Sequence, residues 1–116
     1  SAASDVYKRQ DWSLIIEQVQ VSDTKDLRNV VDNHKNTNDR LCVVVFSVDD
    51  DRVAIVSGVT KNLSETISAK DVVNIVAGNI GGKGGGRSEF AQGAGETKNI
   101  DEFVTSILNS VQSLAT

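Results

Sequence analysis

The stretch "LCVVVFSVDDDRVAIVSGVT", Leu41 to Thr60, decides how the rest of the chain is arranged. Leu41 to Val48 is a continuous apolar run of strand length, and an unbroken run of this kind suits a central strand covered on both faces. Asp49, Asp50 and Asp51 interrupt it, and a second β-rich run follows at once. Two such runs joined by a short polar break predict an antiparallel hairpin.

The flanking segments supply the layers that such a hairpin needs. Upstream, "SLIIEQVQV", Ser13 to Val21, has β-branched residues in partial alternation, with Ile15, Glu17, Val19 and Val21 on one side, and predicts a strand. Ser22 or Asp23 is placed to cap a helix whose Leu27, Val30, Val31 and His34 recur at helical spacing and which ends near the polar "NHKNTND". Downstream, Ser68 followed by Asp71 makes a capping-box-like start. Ala69, Val72, Val73, Val76, Ala77 and Ile80 then continue at helical spacing up to a glycine-rich segment. A short strand is possible at "EFAQGAG", Glu89 to Gly95. Asn99 with Glu102 caps a last helix striped by Ile100, Phe103, Val104, Ile107, Leu108 and Val111.

This order predicts one α/β (α+β) globular domain, a central mixed β-sheet flanked by about three helices, spanning residues 13–116. No element is predicted in residues 1–12, "SAASDVYKRQDW", which read as an N-terminal tail or cloning remnant from which Trp12 can still dock on the domain.

Composition narrows the function. With 39% hydrophobic and 24% charged residues over 116 positions, and no apolar run of about eighteen, the chain reads as a single soluble domain with no membrane role. One cysteine, Cys42, excludes an intrachain disulfide framework and a Cys-rich metal site. The formal charge of −4 argues against a broad basic face, so any RNA contact has to be local.

Seven of the nine glycines fall within Asn79 to Gly95, "NIGGKGGGRSEFAQGAG". A phosphate-binding P-loop is excluded, because Lys83 is followed by Gly84 rather than Ser or Thr and the required upstream glycine is Ala77. A dinucleotide fingerprint is excluded too, because Arg87 and Glu89 stand where its third glycine would be needed. Three readings stay open. The backbone N–H groups can form an anion-binding nest, with Lys83 and Arg87 supplying charge. Gly81-Gly82-Lys83-Gly84 satisfies the G-x-x-G pattern of KH modules. The glycines can instead serve a close packing turn.

"GGKGGGR", Gly81 to Arg87, followed by "FAQGAG", resembles the signature of the C-terminal, DHHA1-type domain of alanyl-tRNA synthetase. The similarity extends through "VVVFSVDDDRVAIVSGVTKNL" and "SAKDVVNIVAGNIGGKGGGR" and runs from about Leu14 to the final helix. The resemblance implies a DHHA1-like fold and a non-catalytic accessory domain of a cytoplasmic alanine–tRNA ligase. Such a domain contacts the outer corner of tRNA, tRNA(Ala) being the expected partner, and supports aminoacylation and editing. It also implies contact with the other domains of the parent synthetase and allows a homodimer. ATP, magnesium and the editing zinc belong to upstream domains, so no cofactor is expected in this chain.

Carried onto this chain, the family's glycine motif falls on Gly81, Gly82, Lys83, Gly84, Gly85, Gly86 and Arg87, and its Ala-Gln pair on Ala91 and Gln92. The expected RNA-binding set is that motif with Gln92. The chain departs from the family at Ser88, where proline is usual, at Phe90, where methionine is usual, and at Gly93-Ala94-Gly95, where Ala-Gly-Gly is usual. An oligomerisation or interdomain module of the synthetase is an alternative, as is the C-terminal domain of a free-standing alanyl-tRNA editing protein. DHH-family phosphoesterases carry a related domain, but their glycines are followed by histidine where this chain has Arg87. Their metal-binding centre also lies in a separate domain.

The remaining chemistry-bearing residues read as structural. His34 has no visible nucleophile and is assigned no role. Cys42 sits inside an apolar strand, where a small buried hydrophobe is expected. Asp49 to Asp51 read as a solvated turn rather than a cation site. Lys61 and Lys70 are placed near the glycine segment as surface cations.

Overall fold

The computed structural model describes residues 3–21 and 23–116. Among these described residues, six strands and three helices follow one another as β1 (Ala3–Lys8), β2 (Ser13–Gln18), α1 (Thr24–Thr37), β3 (Leu41–Asp49), β4 (Arg52–Val59), α2 (Ala69–Gly78), β5 (Lys83–Gly86), β6 (Phe90–Glu96) and α3 (Ile100–Leu114). The strands form one mixed sheet in the order β1-β2-β3-β4-β6-β5. β2 and β3 run parallel, joined through α1, and every other neighbouring pair is antiparallel.

The apolar run that predicted a doubly covered strand is β3, whose first six residues are all buried. Strand alternation splits it between two cores. Cys42, Val44 and Phe46 join Ile55, Val72, Val73, Val76, Phe103 and Ile107 on the face covered by α2 and α3. Leu41, Val43 and Val45 join Ile15, Leu27, Val31 and Val56 on the face covered by α1. The Phe46 and Phe103 rings meet edge to face, with centroids 5.0 Å apart, which locks α3 to the sheet centre.

The predicted hairpin turns between Asp49 and Arg52. Asp50, the first of its two turn residues, has φ of 55°, a left-handed conformation that glycine adopts without strain. Asp50→Gly is therefore expected to stabilise the domain by about 0.5–1 kcal/mol. An upward shift of the urea midpoint at unchanged slope checks this.

The helix starts were predicted with mixed success. Of the two proposed caps for α1, Asp23 accepts from the Lys25 amide at 2.9 Å, and Ser22 lies outside the described residues. Asn99 caps α3, its side chain accepting from the Glu102 amide at 3.0 Å. Ser68 at the start of α2 makes no side-chain cap. The α2 N-terminus is satisfied from elsewhere in the fold: the Ala69 amide donates to Ser88 O at 2.8 Å and the Lys70 amide to Arg87 O at 3.1 Å. Tertiary carbonyls replace the local capping box.

Two further differences concern whole elements. Residues 1–12, predicted to carry no element, include β1, which pairs with β2 from Ala3↔Gln18 to Lys8↔Ser13; residues 1 and 2 lie outside the described residues. Trp12 packs against the core as expected. The first part of the glycine segment, expected as a loop, contains the strand β5, paired with β6 from Lys83↔Ala94 to Gly86↔Ala91. His34, assigned no role, ties α1 to β2 through a 2.6 Å contact between its Nε2 and Glu17 Oε1.

Candidate nucleic-acid interface

The hairpin β5–β6 lies against α2, and its glycines are explained by what surrounds them. A Cβ on Gly84 would overlap the Val73 side chain, and one on Gly93 would stand 2.8 Å from the same Val73 methyl. On Gly95 it would stand 2.5 Å from Ile80, and on Gly82 it would overlap the Ala94 carbonyl oxygen. Gly84, Gly93 and Gly95 are bare so that α2 and Ile80 just beyond it can rest directly on the hairpin backbone, and Gly82 is bare where it faces the β6 backbone. Gly81 and Gly86 serve conformation, with φ of 70° and 152°.

The anion-binding nest is not formed. The Gly81 amide donates to Gly78 O at 3.2 Å and the Gly82 amide to Ala77 O at 2.9 Å, so both donors are consumed by the end of α2. Beyond them the backbone is extended and paired, and its N–H groups alternate in direction instead of converging on one point. The G-x-x-G reading loses its backbone-clamping loop for the same reason.

Gly85 is different. A Cβ there would meet nothing within 4 Å, and its φ lies outside the positive range, so the fold itself makes no demand for glycine at this position. Gly85 pairs with Gln92, and Lys83 pairs with Ala94. By strand alternation these four share the sheet face opposite α2. Lys83, Gln92 and Ala94 are exposed. The predicted residues thus divide: Lys83, Gly85 and Gln92 come together on one open face, Gly81, Gly82, Gly84 and Gly86 shape the strand beneath it, and Arg87 stands exposed at the turn, its amide donating to Phe90 O at 2.8 Å.

α1 borders this face on one side only. Phe90 pairs with Gly58, and a Cβ on Gly58 would overlap the Val31 side chain, so α1 sits over that end of β4 and β6. The rest of the face is open and shallow. A depression of about 650 Å³ lies there between Arg52, Lys83, Ala94 and Glu96. Among the described residues no carboxylate lies within ion-pair distance of Lys83, Arg87 or Arg52.

Among the described residues, the side chains outside this region show no competing centre. Cys42 is fully buried, and burial pushes its thiol up to about 12 despite the opposing influence of the nearby Ser57 hydroxyl, so it stays protonated and unreactive. Among the described residues no group of three His, Cys, Asp or Glu side chains is placed to hold a metal ion. No helix of those residues is long and apolar enough to cross a membrane.

The DHHA1 domain model matches residues 11–113. The chain belongs to the DHHA1 domain family. Within that family it is similar to the domain carried by alanine–tRNA ligases. It is 42% identical over 109 residues to the alanine–tRNA ligase of Ruthia magnifica, covering 94% of this chain and 12% of that protein. It is 37% identical over 99 residues to that of Francisella philomiragia, covering 84% of this chain and 11% of the relative. The chain therefore spans about a tenth of the length of these curated relatives. Its fold matches the C-Ala domain of Aquifex aeolicus alanyl-tRNA synthetase with a TM-score of 0.84 and 27% identity, covering 97% of this chain and 99% of that one. A DHH-domain protein described as a member of the s1p family of ribosomal proteins shares the fold alone, at a TM-score of 0.63 and 13% identity. The DHHA1-like mixed sheet expected from the sequence is thus the fold observed.

The sequence reading missed Arg28 and Lys35. They lie seven residues apart on α1, two helical turns on one face, and both reach the Phe90 ring. Their spacing was the available signal; that β6 would bring an aromatic ring between them was not readable.

Proposed function

We propose that this chain is a non-catalytic tRNA-binding accessory domain of an alanine–tRNA ligase, contacting the outer corner of tRNA and supporting aminoacylation and editing. The observation that carries this reading is Gly85, a glycine that the fold does not require, on an open face beside Lys83 and Gln92. A residue without a side chain lets a nucleic-acid surface approach the sheet closely, while Lys83 and Arg87 make charge-assisted phosphate contacts and Gln92 offers a donor and an acceptor. Recognition is of shape more than of sequence. tRNA(Ala) and the other domains of the parent ligase are the proposed partners, in the cytoplasm. ATP, magnesium and zinc act in parts of the parent enzyme outside this chain.

The test is binding of a full-length tRNA transcript by Lys83→Gln/Arg87→Gln across a salt series. Each lost phosphate contact should lower the slope of log affinity against log salt by about 1, with the thermal unfolding midpoint unchanged. An unchanged slope would remove these residues from the interface. A minihelix lacking the corner should bind more weakly than whole tRNA if the corner is what is read.

The position of β5 at the sheet edge favours one second reading, a module for self-association, possible homodimer included, since an edge strand offers unpaired backbone groups. Light scattering separates the two: a chain that stays monomeric at high concentration while binding tRNA rejects self-association as the role of this edge.

A further inference from the structure

We infer that the RNA-contacting surface continues beyond the glycine hairpin onto α1, where Arg28 and Lys35, both drawn over the Phe90 ring, form a second phosphate-contact patch. This rests on the tRNA-binding reading above and extends it to an element outside the glycine motif.

The Arg28 guanidinium carbon lies 4.5 Å from the Phe90 ring centroid, and Lys35 Nζ lies 5.7 Å from it. Both distances fall within the reach of a cation–π contact, which holds the two charges above one ring. Lys35 Nζ also donates to Glu89 O at 3.2 Å. That carbonyl belongs to the turn that carries Arg87, so α1 and the glycine hairpin are joined at this point. The Lys70 amide donates to Arg87 O at 3.1 Å, which sets the start of α2 beside the same turn. α1, the start of α2 and the β5–β6 turn therefore meet at one end of the sheet, and each carries at least one basic residue.

Their surroundings leave this charge available. The carboxylates on the same elements are Asp26 and Asp32 on α1, Asp71 on α2 and Glu89 in the turn. None of them lies within ion-pair distance of Arg28, Lys35, Lys70 or Arg87 among the described residues. Arg28, Lys70 and Arg87 are exposed, and Lys35 is half-buried. In a chain with 16 acidic and 12 basic residues, Arg28 and Lys35 thus hold two positive charges without a carboxylate partner over one ring. Three of the 16 acids, Asp49, Asp50 and Asp51, lie together at the β3–β4 turn. Pairing positive charge with a polyanionic backbone needs no base contact, so the partner chemistry is the phosphate chain of the same RNA that covers Gly85.

The experiment compares Arg28→Gln/Lys35→Gln with the unaltered chain, Lys83 and Arg87 intact, binding a full-length tRNA transcript over a salt series. The double variant should lower the salt slope by about 2, and Arg28→Gln alone, at an exposed position, by about 1. Lys98→Gln, whose ammonium sits 4.0 Å from Asp51 near the acidic turn, should leave the slope unchanged. If the unaltered chain binds and both α1 variants keep its slope, the α1 patch is overturned while the glycine-face reading stands. If the unaltered chain fails to bind tRNA at any salt concentration, the underlying reading falls and the α1 patch falls with it.

Discussion

Gly84→Val should lower the thermal unfolding midpoint by more than about 10 °C, whereas Gly85→Val, one residue away, should leave it nearly unchanged. A valine at Gly84 has to displace Val73 of α2 on one side. It also meets Gln92 O at 2.5 Å and the Gly93 Cα at 2.7 Å, both backbone atoms of the partner strand. Backbone cannot step aside as a side-chain tip can, so the helix must lift from the hairpin. Overpacking a tight site costs about 1–3 kcal/mol, and the loss of the α2 contact brings the total to about 3 kcal/mol or more, a large share of a small domain's stability. At Gly85 nothing stands within 4 Å, and a β-branched residue suits an extended backbone. Stability there should change by less than about 1 kcal/mol. The same Gly85→Val variant should bind tRNA more weakly, because its new side chain occupies the space proposed for RNA. Circular dichroism melts and a binding titration on the two variants read both effects together.

The second large effect is in the response of stability to pH, and Cys42 produces it. Burial holds its thiol at about 12 in the folded chain, against an ordinary value of 9.0 once exposed. Above about 9 the unfolded chain releases this proton and the folded chain keeps it. The folded state then binds more protons than the unfolded state, so stability falls as pH rises. The contribution is fully present below about 9 and is lost progressively up to about 12, at close to 1.4 kcal/mol per pH unit. Cys42→Ala removes this term, although it costs stability at every pH by leaving a small cavity. Urea midpoints measured from pH 8 to 10.5 should therefore fall more steeply for the unaltered chain than for Cys42→Ala. Parallel slopes would show that the thiol is not held protonated.

Much of the sheet was legible because its signals are local. The run from Leu41 to Phe46 is buried on both faces, and no pattern other than continuous apolarity satisfies that requirement. The stripe of α3 and the cap at Asn99 were equally direct, since a helix start and its buried face lie within one short window. The misreadings share a cause in tertiary structure. Ser68 and Asp71 offered a plausible capping box, but the β5–β6 turn supplies the carbonyls, and only the folded chain brings residues 87 and 88 to residues 69 and 70. The glycine segment looked like a loop because glycine is a poor strand former. Its strand character comes from what presses on it, with Val73 and Ile80 requiring bare backbone opposite them. The candidate site followed the same division: Lys83, Gly85, Gln92 and Arg87 were named from the motif, while Arg28 and Lys35 required knowing where α1 crosses β6.

The carbonyls of Arg87 and Ser88 at the head of α2 have a consequence for how this part of the chain opens. At its other end the same helix holds the Gly82 amide through Ala77 O, and Ile80 O accepts from the Glu96 amide at 3.0 Å. Helix and hairpin are thus fastened to each other at both ends, with glycine against valine between them. Neither can fray alone without stranding donors and acceptors of the other, so residues 69–96 behave as one cooperative unit. The amide protons of Ala69 and Lys70 exchange with solvent only when that whole unit opens. An RNA seated on the turn would slow them from the far side of the sheet.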